Sequence, residues 1–127
     1  MRIDRLDHLV LTVADIDRTV AFYTGVLGME EVTFGAGRRA LMFGRSKINL
    51  HQRGREFDPK AHVPTPGSAD LCFVVRGGLE AVLASLGDRG VAVEVGPVER
   101  TGAMGPMRSC YVRDPDGNPV ELAEYPD

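Results

Sequence analysis

One stretch near the end of the sequence decides the fold: Asp114-Pro115-Asp116-Gly117-Asn118-Pro119-Val120-Glu121-Leu122. Its first four residues are typical of a tight turn, because Pro fixes φ, Asp bonds to nearby backbone and Gly accepts a positive φ. Apolar residues precede and follow the turn, so the stretch predicts a hairpin between two strands. Glu121 lies inside the second strand, where a carboxylate requires a cation, a hydrogen-bond partner or water. We interpret Glu121 as a metal ligand.

Length and composition restrict the class of protein. The 127 residues suffice for one domain with a hydrophobic core, and we predict a single domain over residues 1–127. A net charge of −3 and a pI of about 5.6 argue against a nucleic-acid partner. The N-terminus has no long apolar run, so we expect neither a signal peptide nor a membrane partner, and a cytoplasmic location. Cys72 and Cys110 lie in apolar contexts and are expected to be buried free thiols; a disulfide or a catalytic thiol is the alternative.

The first half of the sequence, residues 4–53, predicts a β-α-β-β-β module. Apolar and polar residues alternate in LDHLVLTV, as in a half-buried strand. Asp15 is a typical N-cap residue, and an apolar stripe at helical spacing follows it until Gly28. The predicted elements are a strand at 6–13, a helix from Asp15 to about Leu27, and strands at 29–34, 38–43 and 47–52.

The second half, residues 69–125, repeats that order. Residues 54–68 separate the halves; they hold three prolines and two glycines without an apolar period and predict a linker. The elements predicted after it are a strand at 69–75, a helix at 78–86, and strands at 91–95, 107–113 and 119–124. The chain is therefore an α+β protein with an internal duplication of two βαβββ modules.

Superposing the two modules pairs polar residues on equivalent strands. His8 falls on Asp70 at an offset of 62 (70 − 8), and Asn49 falls on Glu121 at an offset of 72 (121 − 49). The second module is thus ten residues longer between these strands, and we place the surplus in a Gly- and Pro-rich loop at residues 96–106.

If the modules pack about a pseudo-twofold axis, the four paired residues converge, and His51 lies on the same face as Asn49. One imidazole and two carboxylates suit a divalent metal ion bound by nitrogen and oxygen. Each residue also has a simpler interpretation. His8 fits the rim of a core, Glu121 fits an arginine partner, Asp70 fits a turn cap and Asn49 fits a backbone bond at the end of a sheet.

The sequence resembles the vicinal oxygen chelate superfamily, which includes glyoxalase I, fosfomycin- and bleomycin-resistance proteins and extradiol dioxygenases. Within it, the chain is most similar to the family of glyoxalase domain-containing protein 5 and its bacterial relatives. The resemblance implies paired βαβββ modules whose mixed sheets curve round a cleft, often in a homodimer. The motifs that carry it are Asp7-His8-Leu9, Ala21-Phe22-Tyr23, Leu27-Gly28-Met29, Lys47-Ile48-Asn49-Leu50-His51, Pro66-Gly67-Ser68, Gly96-Pro97, Arg100-Thr101-Gly102-Ala103, Arg113-Asp114-Pro115-Asp116-Gly117 and Val120-Glu121-Leu122.

The resemblance also assigns roles to individual residues. It implies that His8 and Glu121 are metal ligands, and that Asp70 stands where metal-binding members have a second histidine. Asn49 stands where glyoxalase I has a glutamate that binds metal and transfers protons, and Tyr111 matches a substrate-contacting position. We therefore expect His8, Asp70 and Glu121 to hold a divalent ion (Zn, Ni, Mn or Fe), with Asn49 and Tyr111 binding substrate.

These residues predict a glyoxalase-like metal-dependent lyase or isomerase that acts on a small oxygenated substrate through bidentate chelation. His51 is the predicted proton carrier, because the ordinary pKa of imidazole lies near neutral pH; a role as a metal ligand in place of Asp70 is the alternative. We expect a homodimer with a small-molecule substrate. The alternatives are a ring-cleaving dioxygenase, a thiol transferase acting on an antibiotic, and a metal-free protein that sequesters a ligand.

Overall fold

A computed structural model describes all 127 residues. The chain divides into two compact units, Met1–Ser68 and Ala69–Asp127, so the boundary lies where the second module is predicted to start. Each unit contains one helix and one four-stranded mixed sheet, which confirms the α+β class and the βαβββ order. Neither helix is long and apolar enough to cross a membrane.

Unit 1 forms a sheet of order β1-β4-β3-β2, in which β1 and β4 are parallel and the other pairs are antiparallel. One face of the sheet is apolar and buried, and α1 packs on it. The opposite face carries the polar residues of the strands. The elements of unit 1 are β1 (His8–Val13), α1 (Ile16–Gly25), β2 (Glu30–Phe34), β3 (Arg38–Phe43) and β4 (Ser46–Gln52).

Local chemistry fixes the start and the orientation of α1. The Asp15 carboxylate accepts a hydrogen bond from the Arg18 backbone N–H at 3.0 Å, which satisfies one of the free donors of the first turn. Val20 and Tyr23 are buried and, one turn apart, face the sheet. The helix ends before Gly28, whose φ of +73° suits a residue without a side chain.

Unit 2 repeats this topology with sheet order β5-β8-β7-β6, where β5 and β8 are parallel. The strand registers reproduce the duplication. Val10 lies opposite Asn49 in unit 1, and Cys72 lies opposite Glu121 in unit 2, so the offsets are again 62 (72 − 10) and 72 (121 − 49). The elements of unit 2 are β5 (Leu71–Val74), α2 (Leu79–Asp88), β6 (Val95–Gly102), β7 (Gly105–Arg113) and β8 (Pro119–Glu124).

Two predictions about unit 2 are wrong: the strand at 91–95 and the loop at 96–106. Strand β6 begins at Val95 and continues to Gly102, and a two-residue turn leads into β7. Because β6 is an edge strand, Pro97 needs no ladder partner for its missing N–H. The register shifts between Val95 and Val98, and Gly96 lies so close to β7 that a Cβ would come within 2.6 Å of the Ser109 carbonyl oxygen. The glycine and proline therefore mark a bulged edge strand.

The turn at 114–117 is confirmed, and it is more strongly bonded than its sequence indicates. One carboxylate oxygen of Asp114 accepts hydrogen bonds from the backbone N–H groups of Asp116 and Asn118, both at 2.9 Å. The other oxygen accepts from the Asn118 side-chain amide at 2.8 Å. The Asn118 side-chain oxygen in turn accepts from the Ala69 N–H at 2.9 Å. The turn thus holds the start of unit 2 against the β7–β8 hairpin.

We predict that Asp114→Ala lowers the free energy of unfolding by about 2–4 kcal/mol, because buried backbone and amide donors lose their acceptor. Urea denaturation of the purified variant measures this change. Asp88→Ala, at an exposed site on α2, is the control and should change the value by less than about 0.5 kcal/mol. Equal effects of the two substitutions would contradict this account of the turn.

Candidate functional site

The polar face of unit 1 is the sheet surface opposite α1, and strand alternation decides which residues lie on it. In the parallel pair, His8 lies opposite Lys47, Val10 opposite Asn49 and Thr12 opposite His51. These registers and those of β2 and β3 bring six functional side chains to this face. They are His8, Phe34, Arg38, Lys47, Asn49 and His51.

Two side chains of this face are buried with an unpaired polar atom. Asn49 is 5% exposed and His51 is 2% exposed. Asn49 Oδ1 and His51 Nε2 form no hydrogen bond. Because a buried polar atom without a partner is costly, these two atoms are free to bond to water or to a bound molecule. The Asn49 side-chain oxygen is therefore not a backbone acceptor at the end of the sheet.

The surroundings of His51 favour its neutral form. Burial lowers the pKa of His51 below its ordinary value of 6.5, and the Arg38 charge lowers it further, while Glu56 has the opposite effect. The Phe57 ring lies against the imidazole, with 5.7 Å between ring centroids. At neutral pH, His51 is thus an uncharged imidazole with an unused Nε2, which suits a proton acceptor.

His8 is exposed, and a carboxylate fixes its orientation. Its Nδ1 lies 2.7 Å from Asp7 Oδ1, and this bond lowers the pKa of Asp7. A carboxylate on one imidazole nitrogen orients the ring and leaves the other nitrogen free, which is the usual arrangement around a metal-binding histidine. Nε2 of His8 is therefore the available donor atom.

In unit 2, Glu121 is half-buried and held by hydroxyl groups. Its Oε2 accepts a hydrogen bond from the buried Ser109 hydroxyl at 2.6 Å, and the Tyr111 hydroxyl also bonds to the carboxylate. Tyr111 accepts from Arg100 Nε at 3.0 Å, and burial raises the pKa of Tyr111. Cys72 also bonds to Glu121, so five side chains form one network. The network fixes the position of the Glu121 carboxylate without an ion pair to an arginine.

Asp70 and Cys72 complete the sheet surface around Glu121. Asp70 is exposed just before β5, and its carboxylate forms no hydrogen bond or ion pair, so it is not a turn cap. The prediction of a buried thiol is confirmed for Cys110 and wrong for Cys72, which is exposed because it lies on the polar side of β5. Desolvation and the adjacent Glu121 raise the pKa of Cys72 to about 11. A thiol at neutral pH is a weak nucleophile, so Cys72 does not support thiol catalysis.

The predicted ligand set is divided between the units. His8 belongs to unit 1, whereas Asp70 and Glu121 belong to unit 2, and no three His, Cys, Asp or Glu side chains come together as a metal site. The three-ligand set therefore stays a prediction. The available donors are imidazole nitrogen and carboxylate oxygen, which fit a borderline divalent cation.

Comparison with known proteins identifies the family. The sequence profile of the Glyoxalase/Bleomycin resistance protein/Dioxygenase superfamily matches residues 5–122. The chain belongs to this superfamily. Residues with the roles discussed above, from His8 to Glu121, lie inside the matched range.

Individual members of the superfamily are similar over most of the chain. Virulence protein STM3117 of Salmonella typhimurium is 55% identical over 125 residues, which cover 98% of this chain and 87% of that protein. Its crystal structure superposes with a TM-score of 0.97 and covers 99% of this chain and all of that chain. Glyoxalase domain-containing protein RDO1 of Mycosarcoma maydis is 57% identical, over 96% of this chain and 69% of that protein. TnmS3, an antibiotic binding protein from Streptomyces sp. CB03234, is 25% identical with a TM-score of 0.74, and the match covers 99% of both chains.

Four residues of these surfaces were not predicted from the sequence: Arg38, Lys47, Arg100 and Ser109. Strand alternation identifies Ser109, which is two residues before Tyr111 on the same side of β7. It also identifies Lys47, two residues before Asn49 on β4. The two arginines carry no such signal, because arginine is common on exposed strands and only the register shows what it faces.

We predict that the stability of this protein falls as the pH is lowered through about 6.5, because unfolded His51 takes up a proton more readily than buried His51. Above that pH both forms are neutral and His51 contributes no pH dependence. Urea unfolding at several pH values between about 7.5 and 5.5 measures the slope, which one proton limits to about 1.4 kcal/mol per pH unit.

The control for this prediction is His51→Gln, which cannot take up the proton but keeps a polar side chain. Its stability should depend less steeply on pH over the same window, while all carboxylates titrate as before. His62→Gln, in the exposed segment after β4, should keep the wild-type slope. The same slope in wild type and His51→Gln would contradict the burial argument.

Proposed function

We propose that this superfamily member is a metal-dependent lyase or isomerase of the glyoxalase type, acting on a small oxygenated substrate. The observation that carries this proposal is His51: an imidazole that is 2% exposed, with a lowered pKa and an unpaired Nε2, on the face that also bears His8. Proton transfer requires a base of this kind, with a neutral imidazole and an unpaired nitrogen.

His8 and Glu121, with Asp70, are the residues that would hold the metal ion. The chemistry of these donors supports the assignment: His8 Nε2 is oriented by Asp7, and Glu121 is oriented by Ser109. A bound divalent ion would act as a Lewis acid on adjacent oxygen atoms of the substrate. The Asp7–His8 pair would orient the imidazole and strengthen its nitrogen as a donor.

His51 would accept and return the proton. Its low pKa keeps the imidazole uncharged at neutral pH, so one ring nitrogen carries no proton. In the tautomer with the proton on Nδ1, Nε2 would remove a proton from a carbon next to a carbonyl group. Asn49 Oδ1, on the same strand and the same face, would accept a hydrogen bond from a substrate hydroxyl. The Phe57 ring beside His51 would exclude water from the transferring proton.

Tyr111, which belongs to unit 2, would provide a hydroxyl group that binds the substrate. Arg100 donates to the phenol oxygen, which leaves the phenol proton for Glu121 or for a substrate oxygen. We expect the protein to act as a homodimer, as the resemblance implies.

We predict that the protein binds about one divalent ion per chain and that His8→Ala and Glu121→Gln each lose it, because each variant removes a donor atom. Elemental analysis of untagged protein, as purified and after reconstitution with Ni, Mn, Fe or Zn, measures the content. Absence of metal under all of these conditions would refute the metal-dependent function.

The pair formed by Asp7 and His8 provides a sharper form of this test. Asp7→Ala should weaken metal binding by about 10- to 100-fold, since it removes the carboxylate that orients the ligand. Asp4→Ala removes a neighbouring exposed carboxylate that pairs only with Arg5, so metal affinity should not change. Equal effects would show that only net charge matters.

We predict that His51→Gln abolishes proton exchange while metal affinity stays within a few fold of wild type. Wild-type protein loaded with metal and incubated in D₂O with a panel of 2-hydroxyketones and 2-oxoaldehydes should incorporate deuterium next to the carbonyl, which NMR detects. Loss of metal together with exchange would make His51 a ligand instead. The matched control is His62→Gln, which should retain both properties.

A second candidate is a metal-free protein that sequesters a ligand, which the fold similarity to the antibiotic binding protein TnmS3 favours. In that case Asn49 Oδ1 and His51 Nε2 would bond directly to the retained molecule. Stoichiometric retention of a ligand without deuterium exchange would distinguish this function from the enzyme.

A further inference from the structure

We propose that the polar face of unit 1 binds the anionic end of a small hydroxylated ligand through Arg38 and Lys47. The anionic group is a carboxylate or a phosphate, and the hydroxyl or carbonyl beside it bonds to Asn49 and His51. This inference rests on the proposed function only in identifying the ligand with the substrate; anion binding itself does not depend on catalysis.

Aromatic rings hold both cations in place. The Arg38 guanidinium carbon lies 4.6 Å from the centroid of Phe57 and 5.2 Å from that of Phe34. Lys47 Nζ lies 3.8 Å from the centroid of Phe34. Contacts of this kind fix a charged side chain without neutralising it, because a ring face offers only a quadrupole. The two charges therefore stay available and are ordered in advance of binding.

Neither Arg38 nor Lys47 forms an ion pair with a carboxylate, although both are half-buried; Lys47 interacts with Asp7 only through longer-range electrostatics. The adjacent residue Arg39 shows the contrast. It points to the opposite side of β3, and its guanidinium bonds to Asp17 at 2.8 Å and Glu31 at 2.7 Å. The unit thus neutralises its cation on the α1 side of the sheet and leaves two cations on the polar face. Partly desolvated charges that form no ion pair favour binding of an anion.

The cations flank the two buried, unpaired atoms. Arg38 acts on the pKa of His51, and the Phe57 ring contacts both side chains. Lys47 is two residues before Asn49 on the same side of β4. An oxyanion bound by Arg38 and Lys47 would place a neighbouring hydroxyl or carbonyl near Asn49 Oδ1 and His51 Nε2. Arginine suits this role because its planar guanidinium can donate two parallel hydrogen bonds to a carboxylate or a phosphate.

The test uses full-length protein from which metal has been removed on a chelating resin, so that metal binding by a ligand cannot contribute. The probes are two matched pairs: lactate with lactamide, and glycerol phosphate with glycerol. Binding is followed by NMR through the imidazole signals, and His51→Gln assigns one of the three histidines. We expect lactate or glycerol phosphate to shift the His51 signal with saturation, whereas lactamide and glycerol do not. Binding of lactate would identify the anionic group of the ligand as a carboxylate, and binding of glycerol phosphate would identify it as a phosphate.

Substitutions locate the site. Arg38→Gln and Lys47→Gln should each raise the Kd of the binding anion by about tenfold or more, since each removes a charge-assisted hydrogen bond. Arg38→Lys should retain part of the affinity. Arg18→Gln, on α1 at the other side of the sheet, should leave the Kd unchanged. In wild-type protein, rising NaCl should weaken the binding; this measurement needs no variant to fold.

Several results would overturn the inference. These are no shift with either anion, equal binding of an anion and its neutral partner, and an unchanged Kd in both Arg38→Gln and Lys47→Gln. A change of oligomeric size in these variants without a change of Kd would also overturn it, because the cations would then face a carboxylate of another chain. Anion binding to the metal-free protein, combined with no deuterium exchange by the metal-loaded protein, would refute only the proposed enzyme.

Discussion

The parallel pairing of the first and last strand in each unit is the constraint on which the candidate sites depend. Because parallel neighbours point to the same side of a sheet, this register alone places His8 beside Lys47 and Cys72 beside Glu121. A shift by one residue would exchange the polar and apolar faces of the strand. The buried apolar face against α1 therefore fixes, at the same time, which side chains are available for chemistry.

The two units use that shared register for different purposes. Unit 1 leaves its polar groups without partners: a buried Asn49 oxygen, a buried His51 nitrogen and unneutralised cations. Unit 2 instead connects Glu121 to Ser109 and Tyr111, so that its carboxylate is already hydrogen-bonded. In unit 1 the sheet surface thus has buried atoms that are free to form hydrogen bonds, whereas in unit 2 the Glu121 carboxylate is already held in place by hydrogen bonds.

Sequence reasoning succeeded where a local interaction determines the structure. The turn at Asp114, the cap at Asp15 and the alternating strands follow from short-range chemistry, so element order and register could be predicted. It failed at β6, where glycine and proline serve an edge strand, and at Arg38, whose importance depends on two rings from other strands and loops. The metal set also could not be established, since its members come from separate units.

The position of Cys72 beside Glu121 has a consequence for oxidation chemistry. With a pKa of about 11, only about one in ten thousand of these side chains is a thiolate at neutral pH. Peroxides and disulfides react with the thiolate, so an exposed sulfur at this position is slow to form sulfenic acid or mixed disulfides. Desolvation, and after it the charge of Glu121, thereby protect this thiol from oxidants.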